Sequence, residues 1–238
     1  MDAEDKSQNA ILAQLSDDEY TQLRPSLRTI EVRTRQQVYE YREPVDAVYF
    51  PLTAVFSMVA MVTSGERSQV EVGTIGFEGM VGLPLFLGST SSPTATFCQV
   101  PGRAVRLAAE DFHEFLTQDG QLHGLLHRYV QTIMVQMSQS VACNVAHLTE
   151  QRAARWILTT GDRTRSERFP LTQEFLAQML GVRRATVSEI AGKLQTDGLI
   201  TYTRGNLTIV DRPSLTDVAC ECYKIIKAEF DDFRGAGT

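Results

Sequence analysis

The sequence predicts an α+β fold in three zones: an antiparallel β-sandwich or barrel, a long helix, and a helix-turn-helix closed by a hairpin. Three observations carry this. Residues 27–107 alternate short segments rich in valine, threonine and aromatics with turn compositions. Residues 109–148 hold apolar residues at steps of three and four, and no proline stands between Pro101 and Pro170. Residues 151–210 read as three helices and a glycine-turned pair of strands.

The chain begins "MDAEDKSQNA", three acids and one lysine before any apolar stretch. A secretory leader has a basic start and then an apolar core, so the expected location is the cytoplasm. No run approaches the ~20 apolar residues that span a membrane. "LSDDEYTQL" follows as a short helix, with Ser16 as its cap and acids in its first turn. The strands expected next are "LRTIEV", "DAVYFP", "AVFSMVAMV", "SQVEVGTI", "TATFCQV" and "RAVRL". Between them lie "REP", "TSGE", "GFEG", "STSSP" and "VPG", which have turn compositions. Such punctuation suits an antiparallel sandwich or barrel.

The helical zone carries Leu122, Leu126, Val130, Ile133, Met137 and Val141 in one stripe, widened by Leu125, Tyr129 and Met134. It reads as one long helix of about seven turns. The stripe is too wide for a lone surface helix. One flank is expected on the barrel and the other, through Leu126, Val130, Ile133 and Met137, against a second copy. The alternative is burial within one monomer. A last amphipathic stretch, residues 214–230, sets Leu215, Val218, Cys222, Ile226 and Phe230 on one face.

With 43% hydrophobic and 22% charged residues the composition is that of an ordinary folded protein, not a fibre or a disulfide scaffold. Net charge is −6. Residues 151–210 hold nine basic and five acidic residues and so carry +4, against −10 elsewhere. That asymmetry points to a local polyanion partner. Among the cysteines, Cys220 and Cys222 are spaced more tightly than the usual zinc pairing. They are read, with Cys98 and Cys143, as free thiols, and no metal or cofactor is expected. His123 and His127 are four apart on one helix face, a spacing that can bind a metal, and are read as a solvated or interfacial pair. No paired carboxylates, nucleophile with a base, or metal-ligand set stands out, so no enzymatic activity is expected.

"LGVRRATVSEIAGKL", residues 180–194, sets two arginines just past a glycine. Two helices meeting at a sharp angle need a small residue at the crossing, a left-handed turn and apolar anchors. Ala177 is the small residue, and Gly181 takes positive φ without steric cost. Leu176, Leu180, Val182, Val187 and Ile190 supply the packing side. The second helix is expected over about 183–195. Arg183, Arg184, Thr186, Ser188, Glu189 and Lys193 are then left outward. The start of such a helix enters the major groove of double-stranded DNA. An arginine there reads a guanine edge, worth ~1–3 kcal/mol of discrimination. Thr and Ser hydroxyls suit phosphates. Arg204, at the hairpin tip, makes a wing that grips the backbone.

"LTQEFLAQMLGVRRATVSEIAGKLQTDGLI" resembles the cAMP receptor protein/FNR (Crp/Fnr) transcription regulators, and the resemblance extends over the whole chain. It implies an amino-terminal β-roll (jelly-roll, cyclic-nucleotide-binding-like) over residues 1–108 and a dimerisation helix over 109–149. A winged helix-turn-helix over 150–238 completes it. By position Arg184 matches the family's base-reading arginine and Thr186 a backbone contact. Thr172 and Gln173, at the start of the first helix, join the DNA-facing set, as does Ala185. Ala185 stands where many members have a base-reading glutamate, and Glu189 where many have a second arginine. An acid there accepts from a cytosine amino group more naturally than it grips phosphate.

The β-roll departs further. Where cyclic-nucleotide binders hold the ribose and the cyclic phosphate, this chain reads "GMVGL" and "PTA". The corresponding pocket would be Gly79, Met80, Gly82, Leu83, Pro93 and Thr94. Met80 replaces the family's glutamate and Pro93 its arginine. A buried phosphate without its cation is costly, and proline lacks even the backbone donor. cAMP is therefore not the expected effector. "GFEG" is read as a structured turn, and no cysteine precedes Cys98 to hold a sensing cluster. The resemblance also implies a homodimer on palindromic DNA and contact with RNA polymerase. A rival expectation is a ligand-sensing β-roll whose winged helix binds protein, favoured by Glu189 and the acidic total.

Overall fold

Two antiparallel sheets facing each other form the amino-terminal half of the computed structural model, which describes residues 3–61, 69–116 and 120–235. The strands are β1 (Arg28–Val32), β2 (Gln37–Tyr39), β3 (Ala47–Pro51), β4 (Val55–Met61), β5 (Gln69–Ile75), β6 (Ala95–Val100) and β7 (Gly102–Ala108). One sheet runs β1-β7-β3 and the other β2-β6-β4-β5. Six of these strands are the expected ones. The β2 strand, only three residues long, has too little alternation to register in sequence. The expected "TSGE" turn lies outside the described residues. "GFEG" is a turn, with the Gly79 N–H donating to the Gly76 carbonyl at 3.1 Å.

Short helices α1 (Ala3–Gln8), α2 (Ala10–Gln14) and α3 (Asp17–Leu23) precede the sheets, and α4 (Leu83–Phe86) interrupts them. Ser16 caps α3, its Oγ accepting from the Glu19 N–H at 3.2 Å. The zone from 109 to 148, expected as one helix, is two: α5 (Ala109–Leu116) and α6 (Gln121–Ala146). Gly120 precedes α6, and a side chain there would collide with the Glu19 carboxylate. That carboxylate accepts from the Gln121 N–H and so caps α6 in place of a preceding turn.

The carboxy-terminal half contains α7 (Thr149–Thr164), β8 (Arg168–Pro170), α8 (Gln173–Leu180), α9 (Arg184–Thr196), β9 (Ile200–Thr203) and β10 (Asn206–Ile209). The helices α10 (Arg212–Val218) and α11 (Cys222–Phe233) follow. The wing has three strands in the order β8-β10-β9, one more than the expected hairpin. Residues 214–230, expected as one helix, break between α10 and α11. Asp211 caps α10, its Oδ1 accepting from the Ser214 N–H, and Ala219 is extended with ψ 151°.

Two apolar cores result. One fills the β-roll and takes in Leu122, Leu125, Leu126, Tyr129 and Ile133 of α6. The other holds Trp156, Phe169, Phe175, Leu176, Val187, Leu194 and Leu207. Helix α11 joins both: Ile226, Phe230 and Phe233 belong to the first core, and Tyr223 to the second. The Phe233 ring lies 5.6 Å from that of Tyr129.

Candidate nucleic-acid interface

Thr172 Oγ1 caps α8 by accepting from the Phe175 N–H at 3.1 Å. Gly181 ends the helix with φ +66°, the left-handed conformation expected of it, and Ala177 is buried at the crossing. Val187, Ala191 and Leu194 face α9 inward. That leaves Arg183, Arg184, Ala185, Ser188, Glu189 and Lys193 exposed, with Thr186 half-buried. The sequence therefore places the outward face of α9 correctly, because the 3.6-residue period and the fixed turn leave one choice.

Not every predicted DNA-facing side chain is free. Ser188 Oγ donates to Gln173 Oε1 at 2.7 Å, so these two hydroxyl and amide groups tie α8 to α9. Lys193 Nζ pairs with Glu150 at 2.8 Å and braces α9 on α7. Arg183, Arg184 and Arg204 have no ion pair among the described residues. Arg204 and Gly205 form the two-residue hairpin tip with φ +52° and +79°, the geometry of a type I′ turn. Thr172 is exposed at the start of α8.

The predicted effector positions converge only in part. Met80, Gly82, Leu83 and Thr94 line one cavity with Tyr39, Met58 and Thr96, whereas Gly79 and Pro93 do not. Its volume is about 30 Å³, far below the ~300 Å³ of a small-molecule site. Met80 is fully buried and fills the space. Gly79 instead admits Tyr129, whose hydroxyl would overlap any side chain there. A larger cavity of about 260 Å³, not anticipated from sequence, opens between the turn at Phe77 and Glu78, α7 and α11. Arg163 and Arg165 at the end of α7 reach it together with Arg234 past the end of α11, and nothing in local sequence spacing joins these two helix ends.

The α6 stripe divides. Leu126 and Ile133 lie in the β-roll core, not on an outer face, while Val130 is half-buried and Met137 exposed. Steps of three and four keep all four within one narrow arc, and the edge of the β-roll contact cuts through it. The uncovered apolar flank is Met134, Met137, Val141 and Val145, continued by Leu148 beyond the helix.

The seam between the halves is polar. Arg163 of α7, 4% exposed, donates from Nε to Glu78 Oε1, whose side chain is equally buried. It also reaches Thr74 of β5 and Gln136 of α6. Trp156 Nε1 donates to Glu71 Oε1 at 2.8 Å. Burial pushes the Glu71 carboxyl up to about 7, against the hydrogen bonds from Ser57 and Trp156.

The described residues form a β-roll, a long helix and a winged helix-turn-helix. Residues 151–218 match the Crp-like helix-turn-helix domain. The fold is shared with a transcriptional regulator of the Crp/Fnr family from Eubacterium rectale, at 14% identity, TM-score 0.66, 87% of this chain and 96% of that one. FixK2 of Bradyrhizobium japonicum is similar at 15% identity and TM-score 0.68, covering 82% and 98% of the two chains. The c-di-GMP-responsive global regulator CLP of Xanthomonas campestris is similar at 14% identity and TM-score 0.64, covering 82% and 100%. No curated protein matches the sequence. No helix among the described residues is long and apolar enough to cross a membrane.

Proposed function

We propose that the protein is a sequence-specific DNA-binding transcription regulator that acts as a homodimer on palindromic sites. The observation that carries the reading is the face of α9, where Arg183 and Arg184 project unpaired from the first turn of a helix whose opposite side is buried. Helix N-termini enter the major groove, and the Arg204 wing tip is suited to the neighbouring backbone. The exposed Met134–Met137–Val141–Val145 flank supplies a second-copy contact, since a contiguous apolar stripe of this length otherwise stays wetted. cAMP is not its effector in this reading, because the cavity at Met80 is about 30 Å³ and no cation lines it.

The test is selection from a random duplex library by the purified protein at moderate salt. Enrichment of a palindrome with half-sites about one helical turn apart supports the reading. Binding that shows neither sequence preference nor salt dependence overturns it in favour of a winged helix that contacts protein.

A further inference from the structure

Cys143, His147, Cys220 and Cys222 lie far apart in sequence, but their ligand atoms all fall within 4.8 Å of one another. Cys143 Sγ is 3.4 Å from Cys220 Sγ, and Cys222 Sγ is 3.7 Å from His147 Nδ1. The three cysteines are buried and form an apolar cluster of their own, apart from both main cores. The cysteines are free and buried, as the sequence reading has them, and three of them meet here. The Cys-x-Cys pair is too tight to be a zinc motif alone, but the break between α10 and α11 turns both sulfurs toward the end of α6. There Cys143 and His147 stand four apart, Cys143 on the last turn and His147 as its cap.

We propose that these four side chains form a structural Cys₃His site for zinc. Tetrahedral coordination with Zn–S bonds of ~2.3 Å sets neighbouring sulfurs about 3.8 Å apart, close to the spacing already present. A four-iron cluster, whose sulfurs bind separate irons, needs a wider cage. All four positions are filled by protein, the mark of a structural rather than a catalytic site. Binding releases three thiol protons to solvent and leaves a net charge of −1 on the centre.

One surrounding group suits this assignment. His147 Nε2 lies 3.1 Å from Glu221 Oε1. A carboxylate that accepts from the remote ring nitrogen fixes Nδ1 as the metal-facing atom. The site spans the segment from the end of α6 to the start of α11, so it fastens together the two ends of the winged-helix domain.

The experiment is metal analysis of the full chain, purified without a histidine tag or chelator, followed by titration of Co²⁺ into the reduced metal-free protein. One zinc per protomer and a thiolate-to-cobalt absorption band are expected. Cys220→Ser and Cys222→Ser should abolish both, and Cys98→Ser, which removes a thiol remote from the site, should leave both. Glu221→Ala should weaken affinity about 10- to 100-fold. A reduced wild-type chain that binds neither zinc nor cobalt overturns the proposal, and this readout needs no variant to fold. So does iron in place of zinc, or metal retained when Cys143, Cys220 and Cys222 are all replaced.

Discussion

Trp156 and Glu71 meet across the seam between the two halves, the indole N–H donating to the carboxyl oxygen at 2.8 Å. Glu71 Oε2 lies 2.7 Å from Ser57 Oγ, which is itself 2.8 Å from Gln99 Oε1. One hydroxyl proton cannot serve both acceptors. In the protonated form Glu71 instead donates to Ser57, which then donates to Gln99, and Gln99 Nε2 donates in turn to Thr160 of α7 at 3.0 Å. The network therefore runs from the β-roll into the winged-helix domain in one protonation state.

That state has a pH signature. Glu71 holds its proton up to about 7 in the folded protein, against an ordinary value of 4.5. The unfolded chain releases this proton first as pH rises, so stability falls between about pH 4.5 and 7 and levels off above. The full cost is about 3 kcal/mol. Trp156 is the sole tryptophan, so its fluorescence reports the titration. A midpoint near 7, lost in Glu71→Gln, is expected; unchanged titration in that variant removes Glu71 as the source.

The Arg163–Glu78 pair should be the most sensitive point of the seam. Removing one partner of a buried pair leaves an uncompensated charge and costs about 3–5 kcal/mol. Glu78→Ala is expected to lose that much in denaturant unfolding. Replacing Glu78 and Arg163 together by apolar residues should recover part of it, and a purely additive double variant would contradict the coupling.

Arg184→Ala is expected to lose sequence discrimination of about 1–3 kcal/mol while sedimenting as the wild type does. Competition between selected and scrambled duplexes measures this. Equal preference in wild type and variant assigns the readout elsewhere on α9.

Val141→Glu places a charge on the uncovered α6 flank, which a two-fold pairing sets against its own copy. Like charges facing each other cost several kcal/mol, so the variant should be monomeric under conditions in which the proposed dimer forms. Analytical ultracentrifugation decides it. Monomer fold should survive, because Val141 is exposed.

Sequence made legible whatever local periodicity or turn stereochemistry controls. The turn at Gly181, the cap at Thr172, the outward arginines and six strands of the β-roll all follow from spacing. What stayed hidden depends on contacts between distant segments. Leu126 and Ile133 share an arc with Val130 and Met137, and only the position of the β-roll edge separates them. The Cys143–Cys220 approach joins residues 77 apart. Arg163 is one arginine among several in α7 until folding sets it beside Glu78 and Gln136.

The placement of α11 bears on how the chain is made. Ile226, Phe230 and Phe233 complete the core that β-strands near residue 30 begin. During synthesis the β-roll and Tyr129 therefore wait, with that surface uncovered, until about one hundred further residues have left the ribosome. Maturation of the amino-terminal half is then gated by completion of the carboxy-terminal one. A nascent chain halted before residue 222 should remain a client of chaperones that bind exposed apolar surface.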